Sequence, residues 1–163
     1  MSRCPMTISA IPEAIDYSEV ASCSCLLIDG DQGAGKTTLA KQIAKVLEAE
    51  VISLDDYLLM DGRSYWEQID YGLLLSKLSS SGPRVVVEGV CALKILAKIK
   101  IRHDYLVFAK LVNGSFGWEY NSYLGETAKP PKSKLARDIV HYYREFRPFE
   151  VCDLVRTLCI SWE

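Results

Sequence analysis

The chain has 163 residues, of which 49% are apolar and 25% charged, and its net charge is -2. These values fit a single globular domain over residues 1–163 and exclude the broad basic surface of a nucleic-acid-binding protein. No C-x-x-C pair, secretion signal or membrane-length apolar stretch occurs, so we expect a cytoplasmic protein with reduced thiols that binds neither nucleic acid nor membrane.

Residues 1–22 form a lead-in segment in which Ile8, Ile11, Ile15 and Val20 have roughly helical spacing. Beyond it, short apolar runs alternate with stretches of helical period. The predicted strands are Ser24–Asp29, Val51–Leu54, Arg84–Glu88, Asp104–Ala109 and Asp153–Ile160. The predicted helices are Lys36–Ala49, Tyr65–Leu78, Cys91–Ile101 and Ser133–Phe146. This alternation predicts an α/β fold with a five-stranded parallel sheet and helices on both faces.

Residues 112–131 break the alternation. They contain three glycines, two prolines and aromatic residues without a clear period. We interpret this stretch as a loop or mobile lid, and we assign residues 112–147, including the helix that follows, to a lid region. Ligands of parallel sheets sit beyond the carboxyl ends of the strands, so the residues directly after each strand are the candidates for chemistry.

The strongest motif follows the first of these strands. Residues 30–37 read GDQGAGKT, which matches the phosphate-binding pattern G-x-x-x-x-G-K-[ST] between a strand and a helix. In this pattern backbone N–H groups face phosphate oxygens, the lysine reaches the β- and γ-phosphates, and the threonine hydroxyl ligates Mg²⁺. The predicted nucleotide-binding residues are Asp31, Gly33, Ala34, Gly35, Lys36, Thr37 and Thr38. The motif predicts a P-loop NTPase fold with ATP and Mg²⁺ as ligands.

Carboxylates follow the next two strands. Asp55 and Asp56 come directly after the second strand, and Glu88 ends the third. A kinase needs one carboxylate to accept the proton of the acceptor hydroxyl, for which we predict Asp55. Another must hold Mg²⁺, for which we predict Glu88 with Thr37, and Asp55 is a further candidate ligand. Asp56 either contacts the substrate or caps the next turn.

These motifs together resemble the uridine kinase and phosphoribulokinase group of P-loop kinases. The matching residues are Lys36-Thr37-Thr38, Ile52-Ser53-Leu54-Asp55-Asp56-Tyr57, Val87-Glu88-Gly89, and Pro148 with Val151-Cys152-Asp153-Leu154-Val155. The resemblance covers about residues 25–160 through motifs that are individually short. It implies that Asp55 is the catalytic base and that Glu88 is a Mg²⁺ partner.

The lid is where the chain departs from that group, whose members usually carry an arginine-rich run after the fourth strand. Residues 112–123 contain no arginine. Arg137, which Asp138 follows, is the nearest candidate for stabilising charge in the transition state, and Arg144 and Arg147 could also reach inward.

Aromatic residues after Asp55 are candidates for stacking on a base or sugar, although aromatic side chains more often belong to the core. We predict Tyr57 and Trp66, together with Asp56, as contacts to a small-molecule acceptor. The predicted reaction is transfer of the γ-phosphoryl group of ATP to a hydroxyl of a nucleoside or similar metabolite, with Lys36 and Asp55 as catalytic residues alongside the lid arginine.

A regulatory P-loop module that binds ATP without phosphorylating a metabolite is the alternative. The missing lid arginines favour it, and the paired Asp55-Asp56 and Glu88-Gly89 disfavour it. A GTPase is disfavoured because the guanine-reading pattern Asn-Lys-x-Asp is absent.

Overall fold

The structure is a computed structural model that describes residues 7–9, 15–114 and 117–161. Its strands are β1 (Thr7–Ser9), β2 (Cys25–Gly30), β3 (Glu50–Ser53), β4 (Val85–Glu88), β5 (Tyr105–Asn113), β6 (Gly117–Trp118) and β7 (Leu154–Ser161). Its helices are α1 (Tyr17–Val20), α2 (Lys36–Leu47), α3 (Tyr71–Ser80), α4 (Ala92–Lys98), α5 (Lys134–Phe146) and α6 (Pro148–Val151). Short 3₁₀ turns lie at Leu54–Tyr57, Tyr65–Glu67 and Glu119–Tyr123.

The strands form one sheet in the order β1-β7-β5-β2-β4-β3, with β6 paired to β5. The five strands β7, β5, β2, β4 and β3 run parallel, which confirms the predicted parallel sheet. Two short antiparallel strands extend it, β1 on the edge of β7 and β6 on β5. Both Ile28 and Ser53 pair with Glu88, so the carboxyl ends of β2, β3 and β4 lie side by side.

Successive side chains of β2 point to opposite faces of the sheet, as the strand period of two requires. Leu26 and Ile28 pack with the apolar side of α2, whereas Leu27 packs with buried residues of α3, α4 and α5. Helices therefore cover both faces, as predicted. No helix in the described part of the chain is long and apolar enough to cross a membrane.

One predicted helix and the lead-in segment differ in the structure from what their sequence patterns indicate. The helix predicted over Tyr65–Leu78 is a 3₁₀ turn followed, after a break, by α3, because the side chain of Asp70 accepts from the backbone N–H of Leu73 at 2.9 Å and starts a new helix there. In the lead-in segment, residues 7–9 form a strand because their backbone pairs with β7. Helical conformation is confined there to α1, and Ile11 lies outside the described residues.

The predicted lid region, residues 112–147, includes helix α5, and the lid function of the whole region stays a prediction. Helix α5 belongs to the core, since four of its residues, Ile139, Val140, Tyr142 and Tyr143, are buried. Strand β5 also runs on to Asn113, and Tyr120 in the turn after β6 is buried.

Candidate active site

The P-loop lies between β2 and α2, as its motif predicts. Gly35 is the N-cap residue of α2 and has a φ of 74°, a left-handed conformation that favours glycine. No side chain caps this helix end. The first N–H groups of α2 are therefore free of a side-chain partner and can face an anion, which the helix dipole also favours.

A cavity of about 330 Å³ opens over this loop. Its lining residues come from the P-loop and the start of α2, from the segments after β3 and β4, from the 3₁₀ turn at Tyr65–Glu67, and from α5: Gln32, Gly33, Gly35, Lys36, Thr37, Thr38, Asp55, Tyr65, Glu88, Val90 and Leu135. The fold thus brings the adjacent residues Lys36 and Thr37 to one space with Asp55 and Glu88, which come from two other parts of the chain. Lys36 is the one cationic side chain among these lining residues.

Lys36 is nearly buried, with 8% of its surface exposed, and its Nζ donates to the main-chain carbonyl of Asp31 at 2.5 Å. Burial lowers the pKa of Lys36, while the neighbouring carboxylates, Asp29 and Glu88 foremost, act in the opposite direction. The ammonium group therefore sits at the floor of the cavity with carboxylates around it.

Thr37 and Glu88 meet directly. The Thr37 hydroxyl donates to Glu88 Oε1 at 3.0 Å, and Glu88 is itself buried, with 3% exposed. Hydroxyl and carboxylate oxygens are the hard donors that Mg²⁺ prefers, so the chemistry of this pair fits the ion. No group of three or more His, Cys, Asp or Glu side chains converges as a metal site within the described residues. Such a pair suits Mg²⁺ because that ion is commonly held by one or two carboxylates and by substrate phosphates.

Asp55 lies in the 3₁₀ turn after β3, and the hydroxyl of Tyr65 donates to its Oδ1. Tyr65 is buried, and its backbone N–H donates in turn to Asp138 Oδ2 on α5 at 3.0 Å. Burial raises the pKa of the Tyr65 hydroxyl, and the Asp55 carboxylate adds to the effect. Tyr65 therefore acts as a neutral donor that orients the carboxylate inside the cavity.

Two further carboxylates, Asp29 and Asp31, flank Gly30 at the end of β2, and both are fully enclosed, with 0% and 1% exposed. Asp29 accepts from the N–H groups of Gly30 at 2.7 Å and Leu93 at 3.1 Å, and from the Tyr142 hydroxyl. Burial nevertheless raises the pKa of the Asp29 carboxyl to about 6.

Solved structures share this architecture. A possible uridine kinase from Bacillus stearothermophilus matches with a TM-score of 0.51 at 19% identity, over 81% of this chain and 87% of that chain. The chain has a P-loop NTPase fold. Shikimate kinase from Bacteroides thetaiotaomicron matches with a TM-score of 0.46 at 18% identity, over 82% and 86% of the two chains. No protein-family model matches this chain by sequence, and no curated protein matches it.

Several residues predicted for the site lie away from the cavity. Asp56 and Tyr57 line a separate groove against α3. Trp66 stacks on His141, with ring centroids 5.7 Å apart, and lies under Lys94 Nζ at 4.2 Å. Their roles as acceptor contacts stay predictions.

Arg137 is also absent from the cavity lining. Its Nη1 donates to the carbonyl of Lys132 at 2.5 Å and is 3.3 Å from that of Pro131. Arg144 likewise donates to loop carbonyls, those of Tyr123 at 2.6 Å and Gly125 at 3.1 Å. Both arginines fasten the loop before α5 in this conformation, and a catalytic role for Arg137 stays a prediction.

Some lining residues escaped the sequence reasoning. Gln32 could have been chosen, because it lies inside the P-loop motif. Val90 and Leu135 carry no sequence pattern that separates them from core residues, and only the packing of distant segments brings them to the cavity. Tyr65 is one of the aromatic residues that the sequence offers as candidates for stacking, and its hydroxyl donates to Asp55. The predicted nucleotide ligand Ala34 is buried in the core instead of lining this space.

Proposed function

We propose that this protein is an ATP-dependent small-molecule kinase that phosphorylates a hydroxyl group of a nucleoside or a similar metabolite. One observation carries the proposal: a single cavity combines a P-loop, the Thr37–Glu88 oxygen pair and the Asp55 carboxylate. A phosphate cradle alone would fit many nucleotide-binding proteins. A carboxylate facing that cradle is what phosphoryl transfer to a hydroxyl adds.

The chain's own groups divide the work. Backbone N–H groups of residues 33–38 and the Lys36 ammonium hold the donor phosphates. Thr37 and Glu88 would hold Mg²⁺, which supplies charge neutralisation on the phosphate oxygens. Asp55 accepts the proton of the acceptor hydroxyl. The hydroxyl oxygen bonds to the γ-phosphorus while the bond between the γ-phosphorus and the β-phosphate oxygen breaks, so that ADP leaves.

A second cavity of about 270 Å³ shares Gln32 with the first and is lined by Asp31 and by residues around α5 and β5. Because it adjoins the P-loop on the side away from Asp55, we assign it to the nucleoside part of the donor. The acceptor then enters from the Asp55 side, where Asp56, Tyr57 and Trp66 are the candidate contacts outside the cavity. A cytoplasmic location is proposed on the sequence features alone.

The regulatory ATP-binding module is kept as a second candidate for a specific reason. Among the described residues that line the cavity, Lys36 is the single cation facing Asp55 and Glu88. A kinase transition state is commonly stabilised by further cationic groups, so a cavity of this kind could bind a nucleotide and stop there.

An acceptor screen separates the two candidates. ADP formation is measured with Mg-ATP, alone and with a panel of nucleosides and other hydroxyl metabolites. The kinase predicts ADP only when an acceptor is present, and Asp55→Asn should keep ATP affinity while turnover falls by about a thousandfold. Lys36→Ala should weaken ATP binding in calorimetry. ATP binding without acceptor-dependent ADP supports the regulatory module, and no ATP binding by the wild-type protein removes both.

A further inference from the structure

Asp31 is a carboxylate inside the P-loop that does not line the main cavity. Its side chain is held by donors from three elements. Oδ2 accepts from the N–H of Leu111 on β5 and from Nε1 of Trp118 on β6, both at 2.7 Å, and Oδ1 accepts from the hydroxyl of Tyr143 on α5 at 2.6 Å. A buried carboxylate without such donors would be costly, so these bonds fix the side chain in one orientation.

The main chain of the same residue reaches the reactive side. The Asp31 carbonyl accepts from Lys36 Nζ at 2.5 Å and from the N–H of Ala34 at 3.3 Å, and its own N–H donates to the Ala109 carbonyl at 2.9 Å. Asp31 thus connects buried core donors on one side to the phosphate-binding lysine on the other. Because the side chain is anchored in the core, it restrains the main chain of Asp31 and with it the carbonyl that accepts from Lys36.

We propose that Tyr143 is a positioning residue for Lys36 and that it acts through Asp31. Tyr143 is fully buried, with 0% exposed, and does not line the phosphate cavity, so it acts on the lysine through another residue. Without its hydroxyl, Oδ1 of Asp31 loses this donor inside the core, and the carboxylate must turn toward another one. The proposal rests on the proposed function in one respect, which is that Lys36 binds phosphate. Its test does not depend on that function, because the position of Lys36 can be measured without nucleotide.

The test measures the reactivity of Lys36 directly. The nucleotide-free protein is treated with acetic anhydride, and the acetylation rate of Lys36 is read by mass spectrometry against Lys41 and Lys45, exposed residues of the same helix. Tyr143→Phe should raise the relative rate of Lys36 about fivefold to tenfold, the factor expected for one lost hydrogen bond. Tyr71→Phe is the matched control, since it removes a hydroxyl bond of 2.5 Å to the Trp66 carbonyl, away from the P-loop. An unchanged rate in folded Tyr143→Phe, or an equal rise in Tyr71→Phe, overturns the proposal.

A double-mutant cycle tests the route through Asp31. If Tyr143 acts through that carboxylate, Tyr143→Phe should have no further effect on Lys36 in an Asp31→Ala background, which lacks the acceptor of the Tyr143 hydroxyl, whereas equal effects in both backgrounds contradict the route. Should Tyr143→Phe fold poorly, Trp118→Phe removes another donor to the same carboxylate and gives the same readout.

Calorimetry with Mg-ATP separates this proposal from the proposed function. Binding by the wild type that weakens in Tyr143→Phe but not in Tyr71→Phe supports both. Absent wild-type binding together with faster acetylation of Lys36 in Tyr143→Phe contradicts the proposed function and supports the positioning role. Wild-type binding together with unchanged Lys36 acetylation contradicts the positioning role alone.

Discussion

At the scale of single residues, the P-loop of this protein is surrounded by carboxylates that differ in what they contact. Asp55 and Glu88 face the cavity, whereas Asp29 and Asp31 point into the core and accept hydrogen bonds from tyrosine hydroxyls of α5. All four lie close enough to Lys36 to favour its charged form, and burial opposes them. The first pair is therefore placed for chemistry, and the second pair holds the P-loop against the core.

Asp29 should make stability depend on pH. Its pKa is raised from 3.8 to about 6 by burial, so its contribution to the free energy of unfolding is fully present below about pH 4 and is lost as the pH rises through 6. We expect wild type to lose on the order of 2 kcal/mol relative to Asp29→Asn between pH 4 and 7. Urea denaturation of both proteins at several pH values measures this difference. A constant difference across that range would contradict the assignment.

Tyr65 should affect turnover more than nucleotide binding. Its hydroxyl donates to Asp55 and makes no hydrogen bond to the P-loop that we observe in the described residues. If Asp55 is the base, Tyr65→Phe should lower kcat about tenfold with little change in the KM for ATP, because the carboxylate loses its orientation. Steady-state kinetics with the acceptor from the screen give both constants. Tyr105→Phe, which removes a hydroxyl contact to Glu19 at 3.4 Å far from the site, is the control.

At the scale of elements, the site depends on how closely β2 approaches β5 before the P-loop begins. Gly30 has a φ of 139°, and a Cβ placed there would lie 2.0 Å from the carbonyl oxygen of Ala109. Glycine is needed here both for the backbone conformation and for the close approach. The first glycine of the motif therefore secures strand packing as well as the turn.

Gly30→Ala should destabilise the protein by about 3 kcal/mol or more, since backbone atoms of the neighbouring strand cannot move aside cheaply. Chemical denaturation gives the loss. Gly82→Ala is a suitable control because a Cβ at Gly82 meets nothing within 4 Å. Equal stabilities of the two variants would show that β5 yields at this point.

At the scale of the whole molecule, one sheet separates two apolar clusters. The cluster on the α2 face includes Ile43, and the cluster on the other face includes Leu74 of α3, and both residues are fully buried. Because strands β2, β3, β4 and β5 each contribute residues to both clusters, we expect the clusters to unfold together.

Ile43→Ala and Leu74→Ala test that expectation. Each should cost about 2–5 kcal/mol of stability and shift a single transition to lower denaturant. Far-UV and near-UV circular dichroism, followed in the same titration, should give coincident curves for both variants. Separate transitions in either variant would mean that the two faces unfold independently.

The strand and helix alternation, the parallel sheet, the P-loop and the two carboxylates that face it could all be predicted from the sequence alone. Those features arise from local periodicity and from motifs whose residues are adjacent in the chain, and strand ends of a parallel sheet meet at one edge. Lys36, Thr37, Asp55 and Glu88 could therefore be chosen before the structure was known.

The packing of the folded chain determines which side chains contact the site and which predicted ones lie elsewhere. Tyr143 reaches Asp31 across a long chain separation, and Tyr65 reaches Asp55 from the next 3₁₀ turn, whereas Arg137 binds loop carbonyls near its own helix. The same holds for residues 7–9, which lie in a segment with roughly helical spacing but form a strand through pairing with β7. Contacts of this kind depend on how separate segments of the chain pack together, and local residue patterns do not predict them.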